Sequence, residues 1–472
     1  MIYAHFFCVY GFFFVPLQAK MDTICAISTP YGTGGIAVVR VSGIEAVALC
    51  DTLFRGRKRL TDVPANSVCY GSIARRDDVL DEVLCSVFRA PHSFTGEDVV
   101  EIACHGSLYI QQTLVEWLID AGCRAAQPGE FTRRAFANGR MDLAQAEAVA
   151  DLIAAQSKAE KDLALSQLRG SVSHELAELR ERLLKLTSLI ELELDFADHE
   201  ELEFADRSEL ADLSDEIERK LSGLTASFRT GNAIRHGVPV AIIGAPNVGK
   251  STLLNALLGE QRAIVSEVKG TTRDTIEDTL VIDGILFRLT DTAGIRETAD
   301  TIENLGIERS RRAAQQAQII IALSDATQPE TLTASYLDEM HSILDNTLGI
   351  CWIQAVNKVD IQPISNHQLP IDYIPLSAKS GDIEPLKKEL VRVAQSTMHT
   401  QAVMLSNARH YEAVVRAHEA IVRVQQGMRD GLSGELLSLD LQDCLNALGE
   451  VTGQITNAEV LQNIFSKFCI GK

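Results

Sequence analysis

The sequence has 472 residues, of which 46% are hydrophobic and 23% charged, and its formal net charge is −20. This length allows two to four domains with their own cores, and the composition excludes a disordered or collagen-like chain. The acidic charge argues against nucleic-acid binding through the overall field of the protein, while local basic patches stay compatible with it. Ten scattered cysteines, without a C-x-x-C pair or zinc spacing, predict free thiols in a reducing compartment.

The first 20 residues are apolar and aromatic, and Gly11 and Pro16 interrupt them. They lack the charged region and the cleavage site of a signal peptide, and they are too short to cross a bilayer comfortably. Because Met21 follows directly and a globular pattern begins there, we expect translation to start at Met21, with a signal peptide as the alternative. No other segment has the pattern of a membrane span, which predicts a cytoplasmic protein without a membrane partner.

Residues 21–140 alternate short β-rich runs with turn residues, for example at 36–41, 67–70 and 98–102, and one helical segment follows His105. This pattern predicts a small α+β domain.

The rest of the chain changes character three times. Residues 141–236 contain no proline and repeat leucine at helical spacing, residues 237–396 alternate strand, loop and helix patterns, and residues 397–472 are helical again. We therefore predict an α/β domain inserted in a helical domain that is discontinuous in sequence, with a linear series of four domains as the alternative. Thr456 and Glu459 have the spacing of a capping box before the last helix.

A phosphate-binding motif lies between a strand pattern and a helix pattern. Residues 244–251 read GAPNVGKS, which matches G-x-x-x-x-G-K-[ST]. The free backbone amides of such a loop face the phosphates, Lys250 is expected to reach the β- and γ-phosphates, and Ser251 to ligate Mg²⁺. The residues predicted to contact the nucleotide here are Asn247, Val248, Gly249, Lys250, Ser251 and Thr252.

Four further motifs follow in the order of a GTPase. The Asp360 carboxylate, in the 357–360 sequence NKVD, can accept hydrogen bonds from both N1 and the 2-amino group of guanine, which adenine does not offer. Asp291 is expected in the Mg²⁺ shell, Gly294 at the γ-phosphate, and Thr272 as the switch-loop ligand of Mg²⁺. The other predicted contacts are Ser266, Glu267, Val268, Lys269, Gly270, Thr271, Thr292, Ala293, Asn357, Lys358, Ser377, Ala378 and Lys379.

The residue after the 291–294 motif, DTAG, is Ile295. Ras-type GTPases have a glutamine there, which orients the attacking water, and isoleucine cannot do this. Glu297 and Glu303 are the candidates for orienting water, with Arg273 and Arg296 as candidates for stabilising charge.

Motifs outside the α/β domain indicate which class of GTPase the chain resembles. They are TPYGTGG at 29–35, SFTGED at 93–98, PGEFTRRAF at 128–136, NGRMDLAQAE at 138–147 and the terminal CIGK at 469–472. With the GTPase motifs and the apolar Ile295, residues 21–472 resemble the MnmE (TrmE) family of tRNA-modification GTPases.

The resemblance implies a homodimer formed through the N-terminal domain. It implies a reduced folate, 5,10-methylene- or 5-formyl-tetrahydrofolate, as one-carbon donor, and a partner similar to MnmG (GidA) that uses FAD and NADH. The two proteins would add an aminomethyl or carboxymethylaminomethyl group to C5 of the wobble uridine of certain tRNAs. GTP hydrolysis would be stimulated by K⁺, which lets two GTPase domains pair.

Several roles carry over by position. Folate contacts fall on Arg40, Glu101, Arg140 and Lys472, and potassium ligands on Asn247 and the carbonyls of Ser266, Val268 and Thr271. Glu303 matches the catalytic carboxylate, and Cys469 matches a cysteine needed for tRNA modification but not for GTP hydrolysis. Two positions depart from the family pattern: residues 105–107 read HGS where H-G-G is expected, and Arg140 stands where a lysine also occurs.

Two other classes of GTPase share the nucleotide motifs. A ribosome-assembly GTPase would have a basic RNA-binding module after the GTPase domain, but here helices and the CIGK terminus follow. A membrane-remodelling GTPase needs a basic or amphipathic lipid-binding element, and only residues 1–20 could provide one.

Overall fold

The structure is a computed structural model, which describes residues 22–196, 207–259, 277–290, 317–328, 350–362, 373–397, 403–466, 468 and 471. The chain forms two compact units, Met1–Glu147 with Ile455–Lys472, and Ala148–Gln454. Among the described residues, no helix has both the length and the apolar character needed to cross a membrane.

The described strands are β1 (Ile24–Ile27), β2 (Gly34–Ser42), β3 (Phe54–Gly56), β4 (Ser67–Arg75), β5 (Asp78–Phe88), β6 (Val99–Gly106), β7 (Arg124–Ala125), β8 (Val238–Ile243), β9 (Glu277–Ile282), β10 (Ile285–Thr290), β11 (Ile319–Asp325), β12 (Cys351–Asn357) and β13 (Tyr373–Pro375). The described helices are α1 (Ala46–Leu53), α2 (Leu108–Asp120), α3 (Glu130–Ala137), α4 (Leu143–Ala154), α5 (Lys158–Leu168), α6 (Ser171–Phe196), α7 (Arg207–His236), α8 (Lys250–Gly259), α9 (Glu384–Thr397), α10 (Ala408–Arg429), α11 (Gly434–Thr452) and α12 (Ala458–Phe465). This mixture of sheets and helices confirms the predicted α/β and α+β multidomain fold class.

The first unit is built on a seven-stranded sheet in the order β3-β4-β5-β6-β2-β1-β7. Its strands confirm the three predicted β runs. Val100 and Ile102 of β6 point into a core that also contains Leu114 and Leu118 of α2, while Glu101 between them is half-buried on the opposite face. This alternation follows from the two-residue period of a strand, and it leaves the second face of the sheet for a site.

The first unit departs from the sequence pattern at two places. One helical segment was predicted after His105, which α2 confirms, and the structure adds α1 and α3, each of only eight residues. Such short helices show too few turns for a clear apolar period. The last helix, α12, is capped by Asn457, whose side chain accepts a hydrogen bond from the Val460 amide, and not by the predicted box of Thr456 and Glu459.

The second unit contains a six-stranded sheet in the order β13-β12-β11-β8-β10-β9, parallel except for the β9–β10 hairpin. Parallel strands buried on both faces read as continuous apolar runs, and all seven residues of β11 are buried. Helices α6 and α7, which precede the sheet in sequence, pack against α11 and α10, which follow it.

The chain enters and leaves the sheet region at neighbouring points. Arg235, at the end of α7, donates from Nη1 to the Ser406 carbonyl at 3.4 Å, and the Leu405 amide donates to the Ser227 hydroxyl at 3.1 Å. A Cβ on Gly231 would lie 2.2 Å from the Leu405 carbonyl oxygen, so α7 and the returning chain approach too closely for any side chain there.

Candidate functional site

The predicted phosphate loop begins at the carboxyl end of β8 and leads into α8, as the sequence pattern indicated. Gly249 has a φ of +101°, and a Cβ there would lie 2.3 Å from the Asn357 amide nitrogen. Only glycine fits both the left-handed backbone and this close approach. The glycine therefore lets the phosphate loop come directly against the loop after β12.

Lys250 lies at the start of α8 and its Nζ donates to the carbonyls of Gly244 at 2.8 Å and Ala245 at 2.9 Å. The ammonium group is thus held over the loop that would surround the phosphates. Ser251 and Thr252 follow it on the first turn of the helix and are exposed. A helix start with exposed hydroxyls and a held lysine suits a polyphosphate with a bound cation.

Asn357 connects the phosphate loop to the base loop. Its Nδ2 donates to the Val248 carbonyl at 2.8 Å, and its Oδ1 accepts from the Ala378 amide at 2.9 Å. The side chain is buried, with 3% of its surface exposed. The sequence predicted Asn357 as a nucleotide contact, and the structure shows it holding two nucleotide loops in one arrangement.

The predicted guanine-recognising carboxylate lies on the adjacent turn. Asp360 is exposed, and its Oδ1 accepts a hydrogen bond from the buried Ser377 hydroxyl at 2.7 Å. This bond fixes the carboxylate through Oδ1. Lys379, two residues after Ser377, is also exposed on this rim. Asp360 and residues 377–379 therefore lie at one edge of the unit.

Sequence reasoning missed one residue of this site, Asp325 at the end of β11. Its carboxylate is fully buried and lies 2.5 Å from Nζ of Lys358, which also donates to the Asn247 carbonyl at 2.9 Å. Thr327 donates to the other oxygen through its amide and its hydroxyl. Burial alone would raise the pKa of Asp325, but the bonds from Lys358 and Thr327 outweigh it and lower that pKa.

The Asp325 carboxylate is thus an anchor for the lysine of the NKVD motif. Its signal in the sequence was an acid at the carboxyl end of a fully apolar strand, beside the strand that carries the phosphate loop. Polar residues at such strand ends converge on ligand sites in parallel sheets.

The remaining predicted residues of the nucleotide site lie outside the described residues. They are Ser266, Glu267, Val268, Lys269, Gly270, Thr271, Thr272, Arg273, Asp291, Thr292, Ala293, Gly294, Arg296, Glu297 and Glu303. Cys469 and Lys472 also lie outside them. In the part of the chain that the structure describes, no group of three or more His, Cys, Asp or Glu side chains is arranged to hold a metal ion.

A second set of predicted residues meets on the first unit. Arg40 of β2 and Glu101 of β6 are opposite each other in the sheet, and Nε and Nη2 of Arg40 lie 2.9 and 2.8 Å from Oε1 of Glu101. The guanidinium also lies 5.1 Å from the ring centre of Phe94 and 5.6 Å from that of Phe131. Two aromatic rings and a carboxylate therefore fix the arginine on the face of the sheet opposite α2.

The motif segments around this pair are locked by a buried ion network. Arg134 of α3 contacts Asp22 at 2.7 Å, Glu97 at 3.2 Å and Glu130 at 3.2 Å. Burial alone would raise the pKa of Glu130, but Arg124, the Gln127 amide and Arg134 outweigh it, so that pKa is lowered. The network ties the SFTGED loop to α3, which explains why both stretches carry recognisable motifs.

Arg140 and the C-terminus lie in the same unit. The Arg140 stem lies beside Gly96, where a Cβ would meet Cγ of the arginine at 3.2 Å. Gly471, with a φ of +91°, packs against β1, where a Cβ would lie 2.1 Å from the Ile27 carbonyl, and its own carbonyl accepts from the Ser28 hydroxyl. The chain end thus reaches the strand next to Arg40.

Comparison with known proteins agrees with this arrangement. A family model described as "GTP-binding protein TrmE N-terminus" matches residues 23–140, and one described as "MnmE helical domain" matches residues 143–469. A protein of Parabacteroides distasonis named tRNA modification GTPase MnmE is 54% identical, with 96% of this chain and 100% of the relative aligned. Relatives of the same name from Porphyromonas gingivalis and Bacteroides fragilis are each 50% identical over 96% of this chain and 98% and 100% of their own lengths. The chain belongs to the MnmE (TrmE) family of tRNA modification GTPases.

Proposed function

We propose that the chain hydrolyses GTP, with Mg²⁺, as part of tRNA modification, and that it adds an aminomethyl or carboxymethylaminomethyl group to C5 of the wobble uridine. The observation that carries the nucleotide part is the bridge by Asn357 between the phosphate loop and the base loop. Full-length relatives named tRNA modification GTPase support the RNA part.

Guanine selectivity follows from the base loop. Asp360 is oriented by Ser377 and would accept hydrogen bonds from N1 and the 2-amino group of guanine. Adenine has an acceptor at N1 and no 2-amino group, so it would leave the carboxylate without donors. An unpaired charged group of this kind costs much more than a lost contact, which is why such sites discriminate strongly.

Potassium stimulation is proposed from the phosphate loop. Asn247 has a left-handed backbone, with a φ of 64°, and its carbonyl is bound by the anchored Lys358. Its place beside the phosphates is therefore defined, which suits a ligand of a monovalent cation. The carbonyls of Ser266, Val268 and Thr271 would complete the potassium shell.

The other roles of the hydrolysis site are proposed for further residues. Mg²⁺ would be held by Ser251, Thr272 and Asp291. Glu303 would orient water, with Arg273 and Arg296 as charge stabilisers.

A reduced folate would bind at Arg40 and Glu101. Both contacts of this pair involve Oε1 of Glu101, and both side chains stay partly exposed. The carboxylate offers an acceptor and the guanidinium a donor, which match the N3–H and the 4-carbonyl of a pteridine ring. Arg140 and Lys472 would contact the acidic tail of the folate, and the donor molecule would supply the one-carbon unit.

Dimerisation through the first unit is supported by its open sheet face. Val68 and Tyr70 of β4, Leu84 of β5 and Ile36 of β2 expose 47–71% of their surfaces. Exposed apolar side chains on neighbouring strands are typical of protein interfaces. We propose that a second copy of the chain covers this face, and that an MnmG-like protein with FAD and NADH supplies the reducing chemistry. Cys469 would act in tRNA modification and not in GTP hydrolysis.

The GTPase mechanism is tested by steady-state GTP turnover in matched KCl and NaCl, for protein beginning at Met21 and for its Glu303→Ala variant. We expect strong stimulation by K⁺ and its loss in the variant while GTP still binds. Equal rates in both salts, or unchanged turnover of the variant, would remove the proposed mechanism.

The tRNA part is tested separately by nucleoside analysis of tRNA from cells whose own family member is deleted. Expression of this chain should restore the modified wobble uridine, and the Cys469→Ser variant should not, although its GTP turnover stays normal. An unmodified wobble uridine with the unaltered chain, despite normal GTP turnover, would refute the proposed RNA function.

A further inference from the structure

The first unit carries a short basic segment that the proposed nucleotide and folate sites do not use. Four of the five residues from Arg55 to Arg59 are basic, in a chain whose net charge is −20. All five are exposed. The segment begins in β3, which is the edge strand of the seven-stranded sheet, and continues into the turn that follows it.

Both ends of the basic segment are fixed in the core. At one end the buried Phe54 ring covers two opposed glycines, Gly56 and Gly71, where an added Cβ would lie 2.5–2.6 Å from ring or backbone atoms. At the other end Leu60 is fully buried, and its amide donates to the carboxylate of Asp51 at 2.6 Å. The charged residues between these anchors therefore have a set position, unlike those of a flexible tail.

The basic side chains differ in how they are bound. Arg59 lies 2.8 Å from the carboxylate of Asp51, and Arg55 donates to two backbone carbonyls of its own turn. Within the described residues, Arg57 and Lys58 have no protein partner among the hydrogen bonds and ion pairs of the structure. Two cations of a strongly acidic protein thus point to solvent from a rigid edge, with two further arginines beside them.

We propose that Arg57 and Lys58, flanked by Arg55 and Arg59, form a contact surface for the phosphate backbone of RNA. This proposal rests on the proposed function, because tRNA is the polyanion that the family modifies. Backbone contacts of this kind position an RNA without reading its sequence, and each contact releases counterions, which makes binding depend on salt.

The position of the surface in the sheet supports this partner. Three strand steps separate β3 from β6, which carries Glu101, and this corresponds to roughly 15 Å across the sheet. A tRNA held by its backbone at this outer edge would therefore lie close to the Arg40 and Glu101 pair without having to cross the apolar face that the second copy is proposed to cover. An acidic peptide would also be attracted to these cations, but the proposed function includes no acidic peptide, whereas it does include tRNA.

The test uses full-length protein beginning at Met21 and a fluorescently labelled tRNA transcript, with binding measured by anisotropy from about 30 to 200 mM KCl. The variant carries Arg57→Gln and Lys58→Gln. We expect its affinity near 100 mM salt to fall at least about tenfold, and the slope of log affinity against log salt to become shallower by about 1.5 to 2. A control with Lys388→Gln and Arg429→Gln removes two exposed cations of the second unit and should bind like the unaltered protein.

Every other result would overturn the proposal. Equal affinities and slopes for the two variants would show that the segment does not contact RNA, even if it binds acidic peptides. If the variant aggregates while its tRNA affinity is unchanged, the charges would serve to keep the edge strand from pairing with other chains. Absence of tRNA binding by the unaltered protein at low salt would also refute it. Nucleoside analysis distinguishes failure of this proposal from failure of the proposed function. If the chain restores the modified wobble uridine but the variant binds tRNA normally, only the contact surface is refuted. If the unaltered chain restores no modification, the proposed function is refuted.

Discussion

The two candidate sites each contain an ion pair, and the two pairs are built differently. Asp325 is fully buried and receives hydrogen bonds from Lys358 and from both donors of Thr327, so its protein partners saturate it. Arg40 and Glu101 keep 19% and 30% of their side-chain surfaces exposed. The comparison teaches that the first pair holds loops in place, whereas the second keeps polar surface exposed, as the proposed ligand site requires.

The largest effect should come from Asp360, which belongs to neither pair. Asp360→Asn replaces a carboxylate that only accepts hydrogen bonds by an amide that can also donate one, for example to the 2-carbonyl of xanthine. GTP affinity should therefore fall by about 100-fold or more, and XTP should bind better than GTP. Fluorescence titration with both nucleotides measures this. Ser377→Ala is the matched control, because it removes only the orienting hydroxyl and should weaken GTP binding far less. A variant that still prefers GTP would contradict the assignment of the base loop.

The second effect tests the exposed pair. Glu101→Gln keeps the shape of the side chain but loses the charge, so affinity for tetrahydrofolate should fall by roughly 30-fold, or about 2 kcal/mol. The free energy of unfolding should change by less than about 1 kcal/mol, because partly exposed pairs contribute little to stability. Isothermal calorimetry and urea unfolding measure the two quantities. Glu82→Gln, on the neighbouring strand, serves as control. Strong destabilisation with unchanged folate affinity would reverse our reading of the pair.

The third prediction tests the buried pair, whose loss should affect both stability and GTP binding. Asp325→Asn removes the charge that holds Lys358, so unfolding should become easier by about 1–3 kcal/mol, and GTP affinity should fall by about tenfold. GTP binding is measured at a temperature where the variant is folded. Thr327→Val provides the control, because it removes one donor to the same carboxylate and leaves Lys358 paired. Normal GTP affinity in a destabilised Asp325→Asn protein would limit Asp325 to a purely structural role.

The smallest expected effect is the pH dependence of the stability that Asp325 contributes. Because the pKa of Asp325 is lower in the folded protein than in the unfolded chain, its charge contributes stability above the unfolded value, near 4, and this contribution is lost as pH falls through the folded value. The stability difference between the unaltered protein and Asp325→Asn should therefore be constant from pH 7 to 5 and shrink below about pH 4. Urea unfolding at several pH values measures it. A difference that grows in acid would show that the folded pKa is raised.

Much of the fold could be predicted because local patterns agree with it. The strand pattern before the phosphate loop is β8 and the helix pattern after it is α8, and Asn357 of the NKVD motif contacts that loop. The short helices α1 and α3 were missed because they have too few turns, and Asn457 was overlooked as a cap because the T-x-x-E spacing one residue earlier looked stronger. Asp325 was missed because the local pattern showed only an acid at the end of an apolar strand, whereas its role depends on Lys358, which follows a neighbouring strand distant in sequence.

The close approach of Arg235 and Ser406 has a consequence for how this architecture could arise and be changed. A segment whose two ends lie side by side can be added to or removed from a host with little disturbance, because the host needs only a short turn to close the gap. The helices on either side already pack against each other, α6 against α11 and α7 against α10, without the sheet between them in sequence. Joining residue 236 to residue 405 through a few glycines should accordingly leave a soluble helical bundle, a ready scaffold for carrying other inserted domains.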